Sequence, residues 1–169
     1  MTADKYDILT KVKELGIGPD KMLNDLRKDQ ALVDAYVKFS LSNHKYAWRA
    51  TWIIAHFSKE HPELVQKHLN SFIQNMYKIK KDGHLRETLK IISNLKLSEE
   101  QTSEVFDICY ELLQNNKLQS SVRYASFYFI LKVAEDYPEL KEEIKVIFEN
   151  IKDYLSKGIK HSMEMRLKK

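Results

Sequence analysis

Three arginines stand 37 residues apart, Arg49, Arg86 and Arg123, each directly after an apolar residue (Trp48, Leu85, Val122), and a further step of 37 lands on Lys160 after Ile159. Self-similarity at a fixed period of this size marks a stack of supersecondary units, each burying a face on its neighbour. Other folds are poorly served by these residues. Four Gly and three Pro in 169 residues leave little for the tight turns of an all-β protein, whereas long runs of Leu, Lys, Glu and Ile suit helices. The expectation is an all-α chain, a right-handed α-α superhelix of about four helix pairs with an N-terminal helical cap, in a single domain.

The helical spacing places the elements. Residues 1–28 read as the cap: Ala3 to Leu15 is stopped by Gly16-Ile17-Gly18-Pro19, and Pro19 opens a short helix from Asp20 to Lys28. The pairs then follow as 30–60, 62–96, 99–136 and 138–169, split into helices at 30–41 and 45–60, 62–79 and 84–96, 99–115 and 120–136, and 138–156 and 158–169. Pro62 and Pro138, each inside Pro-Glu-Leu, suit a first helical position, where the missing N–H costs nothing. Ser98 and Gln101 have the spacing of a capping box. Asp82-Gly83 and Lys157-Gly158 are expected in the turns of the second and fourth pairs, Ser42-Asn43 and Ser120-Ser121 in those of the first and third. The segment Tyr124 to Leu131 is nearly continuous in its hydrophobicity and by itself suits a buried strand. Its register at 37 with Ala50–Phe57 and Glu87–Asn94 makes it a helix packed on both sides.

With Trp48-Arg49-Ala50, Leu85-Arg86, Val122-Arg123-Tyr124-Ala125 and Ile159-Lys160 in place, the chain from about residue 30 to 169 resembles the HEAT class of armadillo-type repeats, including small stand-alone bacterial HEAT-like proteins. That resemblance implies an α-solenoid scaffold. The family often carries an aspartate six residues before the arginine; here those positions are Asn43, Lys80 and Lys117, so the arginines' usual carboxylate partner is missing.

The net charge of +4 sits in one place. Lys152 to Lys169 holds six basic residues against Asp153 and Glu164, which leaves 22 basic and 22 acidic side chains in the rest of the chain. A neutral body argues against a nucleic-acid footprint, and a basic last helix is what the negative end of a helix dipole favours. No stretch approaches the roughly eighteen apolar residues of a membrane span, the N-terminal residues lack a secretory apolar core, and the lone Cys109 cannot form an internal disulfide. The expectation is a cytoplasmic protein without membrane attachment. Six scattered histidines include no i, i+4 pair, and phosphate loops, nucleophile elbows and Cys–His metal spacings are missing. No catalytic residues, metal or cofactor are expected.

Two functional readings follow. In the first, the chain is a non-enzymatic scaffold that binds a protein or peptide on the concave face formed by its second helices. Trp52, Tyr124 and Tyr128 are the groove candidates because their N–H or O–H groups need partners, while Trp48, Phe127 and Phe129 read as core. Arg49, Arg86 and Arg123 either stitch neighbouring repeats through backbone carbonyls or form a ladder toward an acidic partner. In the second, the chain is a nucleic-acid binder similar to HEAT-like DNA glycosylases of alkylation repair, with Trp48, Trp52, Arg49 and Arg86 near the lesion and Glu87 as the available carboxylate.

Overall fold

The computed structural model describes residues 7–14 and 19–168. They form eleven α-helices and no strand among the described residues: α1 (Ile8–Lys13), α2 (Asp20–Lys28), α3 (Gln30–Ser40), α4 (Ala47–Glu60), α5 (Pro62–Val65), α6 (Leu69–Met76), α7 (Asp82–Asn94), α8 (Glu99–Gln114), α9 (Ser120–Asp136), α10 (Leu140–Ile151) and α11 (Lys157–Leu167). After α1 and α2 they fall into four pairs, α3 with α4, α5 and α6 with α7, α8 with α9, and α10 with α11. Helical-repeat architecture is therefore what the 37-residue period encodes. The chain groups into two compact units, Met1–Lys96 and Leu97–Lys169.

Local signals account for several helix starts. The Ser98 hydroxyl accepts from the Gln101 N–H at 3.2 Å while the Gln101 side chain accepts from the Ser98 N–H at 2.8 Å, a complete capping box. Asp29 caps α3 by accepting from Ala31 and Leu32, and Pro62 takes the first position of α5. Four expectations shift. Pro138 lies in a turn two residues ahead of α10, whose N-cap is Glu139. Gly83 and Gly158 are inside the first turns of α7 and α11 rather than between helices. Ser120 and Ser121, also expected in a turn, are the first two residues of α9. The helix expected over 62–79 is broken by a 3-10 turn at Gln66–His68. That turn sends Gln66 to the backbone of Lys96 and Lys67 and His68 to Asp34 of α3. The expected stop at Gly16–Gly18 lies outside the described residues.

The buried layer is formed by second helices, α4 and α7 in Met1–Lys96 and α9 in Leu97–Lys169, whereas α11 buries only Met163. In Met1–Lys96, α4 packs on α2, α3, α5 and α7, burying Ala50, Ile53, Ile54 and Phe57. In Leu97–Lys169, α9 packs on α8, α10 and α11 and buries Val122, Ala125, Phe127, Phe129 and Ile130, so the strand-like run is a helix with neighbours on several sides. Each large apolar side chain taken out of water contributes about 1.5–3 kcal/mol before chain entropy is subtracted. Thr51 and Thr88, also 37 apart, are both fully buried. Each hydroxyl donates to the carbonyl four residues back, at 3.0 Å, which satisfies a polar group inside the core.

Candidate functional site

The face of α9 that the core does not cover carries Tyr124, Tyr128, Leu131, Lys132 and Glu135, a stripe at helical spacing. Tyr128 is 42% exposed. From α11, Arg166 reaches across to this stripe. Its Nε donates to the Tyr124 hydroxyl at 2.8 Å, and its guanidinium carbon lies 4.9 Å from the Tyr128 ring centre and 5.9 Å from that of Tyr124. One arginine thus aligns two tyrosines by a hydrogen bond and by cation–π attraction.

Beside this cluster a cleft of about 630 Å³ opens between α9, α10 and the end of α11. Lys132, Lys141, Lys145, Arg166 and Lys168 line it together with Tyr128 and Leu131, against a single acid, Glu135. Lys145 also bonds Glu142 at 2.7 Å on the outer side of α10. Five cations around one aromatic and two aliphatic side chains, Leu131 and Leu167, make a surface that attracts negative charge and offers an apolar anchor.

Of the residues expected to bind a partner, Tyr124 and Tyr128 belong to this cluster. Trp52 is half-buried on α4, its ring centre 4.3 Å from that of His56. Trp48, expected in the core, is 38% exposed and has the Arg49 guanidinium carbon 5.5 Å from its ring centre. As the second residue of α4 its large ring lies on the outer face, and Ala47 and Ala50 fill the core in its place.

The three arginines have three different environments. Arg49 donates from Nη1 to the carbonyls of Val12 and Lys13 at 3.0 and 3.2 Å, so it caps the C-terminal end of α1, where unpaired carbonyls carry partial negative charge. Arg123 is fully buried. Its Nε donates to the Leu113 carbonyl at 2.8 Å and its Nη1 to the Tyr154 carbonyl at 3.3 Å, which ties the end of α8 to the 3-10 turn after α10. Burial pulls its guanidinium below the ordinary arginine value. A side chain with no exposed surface does not form part of a ladder facing a partner. Arg86 stays on its own helix, with Nε donating to Glu87 at 2.8 Å. Glu87 is itself buried, and Lys90 bonds both of its oxygens at 3.0 and 3.2 Å.

Arg166, Lys132, Lys141 and Lys145 were not singled out by sequence reasoning. The concentration of charge at Lys152 to Lys169 was visible, but a dipole explanation absorbed it. Lys141 and Lys145 are an i, i+4 pair that only packing against α9 turns into a site. Among the described residues no group of three or more His, Cys, Asp and Glu is placed to hold a metal, and no helix is long and apolar enough to cross a membrane.

Paired helices with a buried second-helix layer, and arginines recurring at the start of that layer, define a helical-repeat scaffold. The HEAT repeat domain family matches residues 18–169, and the chain belongs to it. No curated protein and no solved structure matches the chain.

Proposed function

We propose that the protein is a non-enzymatic scaffold that takes an acidic peptide segment of a partner protein in the cleft between α9, α10 and α11. The observation that carries this reading is the joining of Tyr128 and Leu131 to five cations in one cleft. An extended or helical segment with an apolar residue among Asp and Glu fits such a surface: the apolar side chain covers the Tyr128 ring and carboxylates pair with the rim lysines. HEAT repeats commonly mediate protein interactions, which supports the class of partner. The lone Cys109, a free thiol with no disulfide partner in the chain, favours a reducing compartment such as the cytoplasm as the place where this happens.

The rival is a nucleic-acid interface built on the same lysines. Its enzymatic form needs a presented carboxylate, and Glu87 has both oxygens engaged by Arg86 and Lys90 inside the fold. A fluorescent peptide of alternating Glu and Leu, titrated beside a labelled DNA duplex, separates the two. Saturable peptide binding weakened about tenfold or more by Tyr128→Ala and by Arg166→Ala is the expected result. Tighter duplex binding, with a steep fall as salt rises, would move the assignment to nucleic acid.

A further inference from the structure

A second cleft, of about 620 Å³, lies in the unit Met1–Lys96 between the loop that joins α3 to α4 and the loop that joins α6 to α7. Ser42, Asn43 and His44 line it from the first loop, and Tyr77 to Lys81 from the second, with His84 of α7 at its inner side. Asn43 and Lys80 are 37 residues apart, so two successive repeats put equivalent loop positions on one cleft. Lys78, Lys80 and Lys81 all line it and no Asp or Glu does. The nearest acid in sequence, Asp82, is engaged in an interaction of its own.

His84 makes this more than a cluster of surface lysines. It is 9% exposed, and its Nε2 is buried with no hydrogen-bond partner. A buried polar atom without a partner is unfavourable, and a ligand atom that bonded it would relieve that penalty. We propose that this cleft is a phosphate-binding site, with the three lysines holding the oxygens and His84 Nε2 meeting one of them at the inner end.

The chemistry distinguishes phosphate from other anions. The other ring nitrogen of His84 is bonded to the backbone of Ser40, and burial together with the charge of Lys81 moves the ring below its ordinary value. At neutral pH the ring is then uncharged and Nε2 is an acceptor. A phosphate group with a second pKa of about 6 still reaches its protonated monoanion as a minor form near neutral pH. Its P–O–H donates to Nε2 while the remaining oxygens accept from Lys78, Lys80 and Lys81; moving that proton onto the ring gives an imidazolium beside a dianion, with the same atoms and the same total charge. Sulfate and carboxylates have no proton to offer at pH 7. The other titratable groups lining the cleft are His44, whose Nδ1 accepts from the Tyr46 N–H at 3.2 Å, and Tyr77. Helix α7 begins at Asp82 without a side-chain cap, so the positive end of its dipole adds to the lysines' field.

The shared chemistry, a phosphate monoester or free phosphate, has two sources: a small phosphorylated molecule or a phosphorylated side chain on a polypeptide. The test follows the His84 imidazole by NMR in the full chain at pH 7 and low ionic strength, with four probes: sodium phosphate, sodium sulfate, a phosphoserine peptide and its unphosphorylated twin. A saturable His84 shift with phosphate below about 10 mM is expected, with sulfate at least about tenfold weaker at pH 7 and recovering as the solution is acidified through the His84 titration. Replacing the exposed pair, Lys80→Ala with Lys81→Ala, should weaken phosphate about tenfold without affecting the fold. A phosphoserine peptide that binds more tightly than free phosphate identifies the polypeptide source, and equal binding identifies the small molecule. Absence of a saturable shift, or sulfate binding equal to phosphate at pH 7, overturns the proposal. His84→Gln should abolish the preference for phosphate over sulfate; if that variant does not fold, the lysine pair and the sulfate comparison still decide.

Discussion

Helices α7 and α9 carry the same repeat position and use it in opposite ways. On α7 the residue after the arginine is Glu87, and this buried carboxylate gathers Arg86 and Lys90 into a local ion cluster. On α9 the equivalent residue is Tyr124, which offers no negative charge. Arg123 turns instead to backbone carbonyls of two other elements, and Tyr124 is left to Arg166. An identical sequence signature thus yields a self-contained cluster in one unit and a tie between helices in the other. What decides is the neighbour that can neutralise the guanidinium, because a buried charge must be paired or hydrogen-bonded to persist.

The largest effect expected from breaking that contrast belongs to Arg123. Arg123→Ala removes two charge-assisted bonds to backbone carbonyls, one buried and one part-buried, and leaves a cavity. Urea unfolding should show a loss of about 3 kcal/mol, equivalent to roughly 6–12 °C in Tm for a chain of this size. A loss under about 1 kcal/mol would mean that the carbonyls find other donors and that the tie is dispensable. Arg86→Ala should cost less, about 1 kcal/mol by the same measurement, because Lys90 still holds both oxygens of Glu87. If the two arginine variants prove equal, the contrast between the helices has no energetic content.

Contacts between first helices sharpen the same comparison at lower energy. In Met1–Lys96, burial pushes the Asp34 carboxyl up, but hydrogen bonds from Lys67, His68 and Gln30 outweigh it and hold it at about 2. The folded value is below the unfolded one of about 3.9, so this contribution is fully present above about pH 4 and is lost as pH falls from there toward 2. Asp34 is 39% exposed, and solvent screening limits its worth to about 1 kcal/mol or less. The stability gap between the natural chain and Asp34→Asn should therefore be constant from pH 5 to 7 and close below pH 4. A gap unchanged at pH 3 would show that the carboxylate's charge is not what matters.

The smallest effect belongs to Leu97–Lys169, where the corresponding contact is Tyr110 donating to Glu143 at 3.1 Å. That bond to a carboxylate raises the Tyr110 phenol above its ordinary value. Tyr110→Phe should shift stability by no more than about 0.5 kcal/mol in thermal unfolding, and a larger change would place more of the unit's cohesion on the first-helix face than its exposure suggests.

Helix pairing was legible because apolar spacing and caps act locally. Helix α2 from Asp20 to Lys28 and α9 from Ser120 to Asp136 match their expected limits, and the Ser98–Gln101 box forms as its spacing requires. The break at Gln66–His68 was not legible, since its side chains are directed by Asp34 and Lys96, some thirty residues away. Tyr124 and Tyr128 could be singled out because their hydroxyls need partners, but their partner Arg166 could not. It stands 42 residues from Tyr124, off the repeat period.

By itself, the sequence determined that the chain would form paired helices with a repeating arginine at the start of the first three second helices, because period, composition and caps are properties of neighbouring residues. Only the tertiary structure decided where those arginines point and which charges meet. Burial, the availability of a carbonyl or carboxylate, and the gathering of Lys132, Lys141, Lys145 and Arg166 beside Tyr128 depend on distances through space. A periodic sequence says nothing about those until its helices are packed.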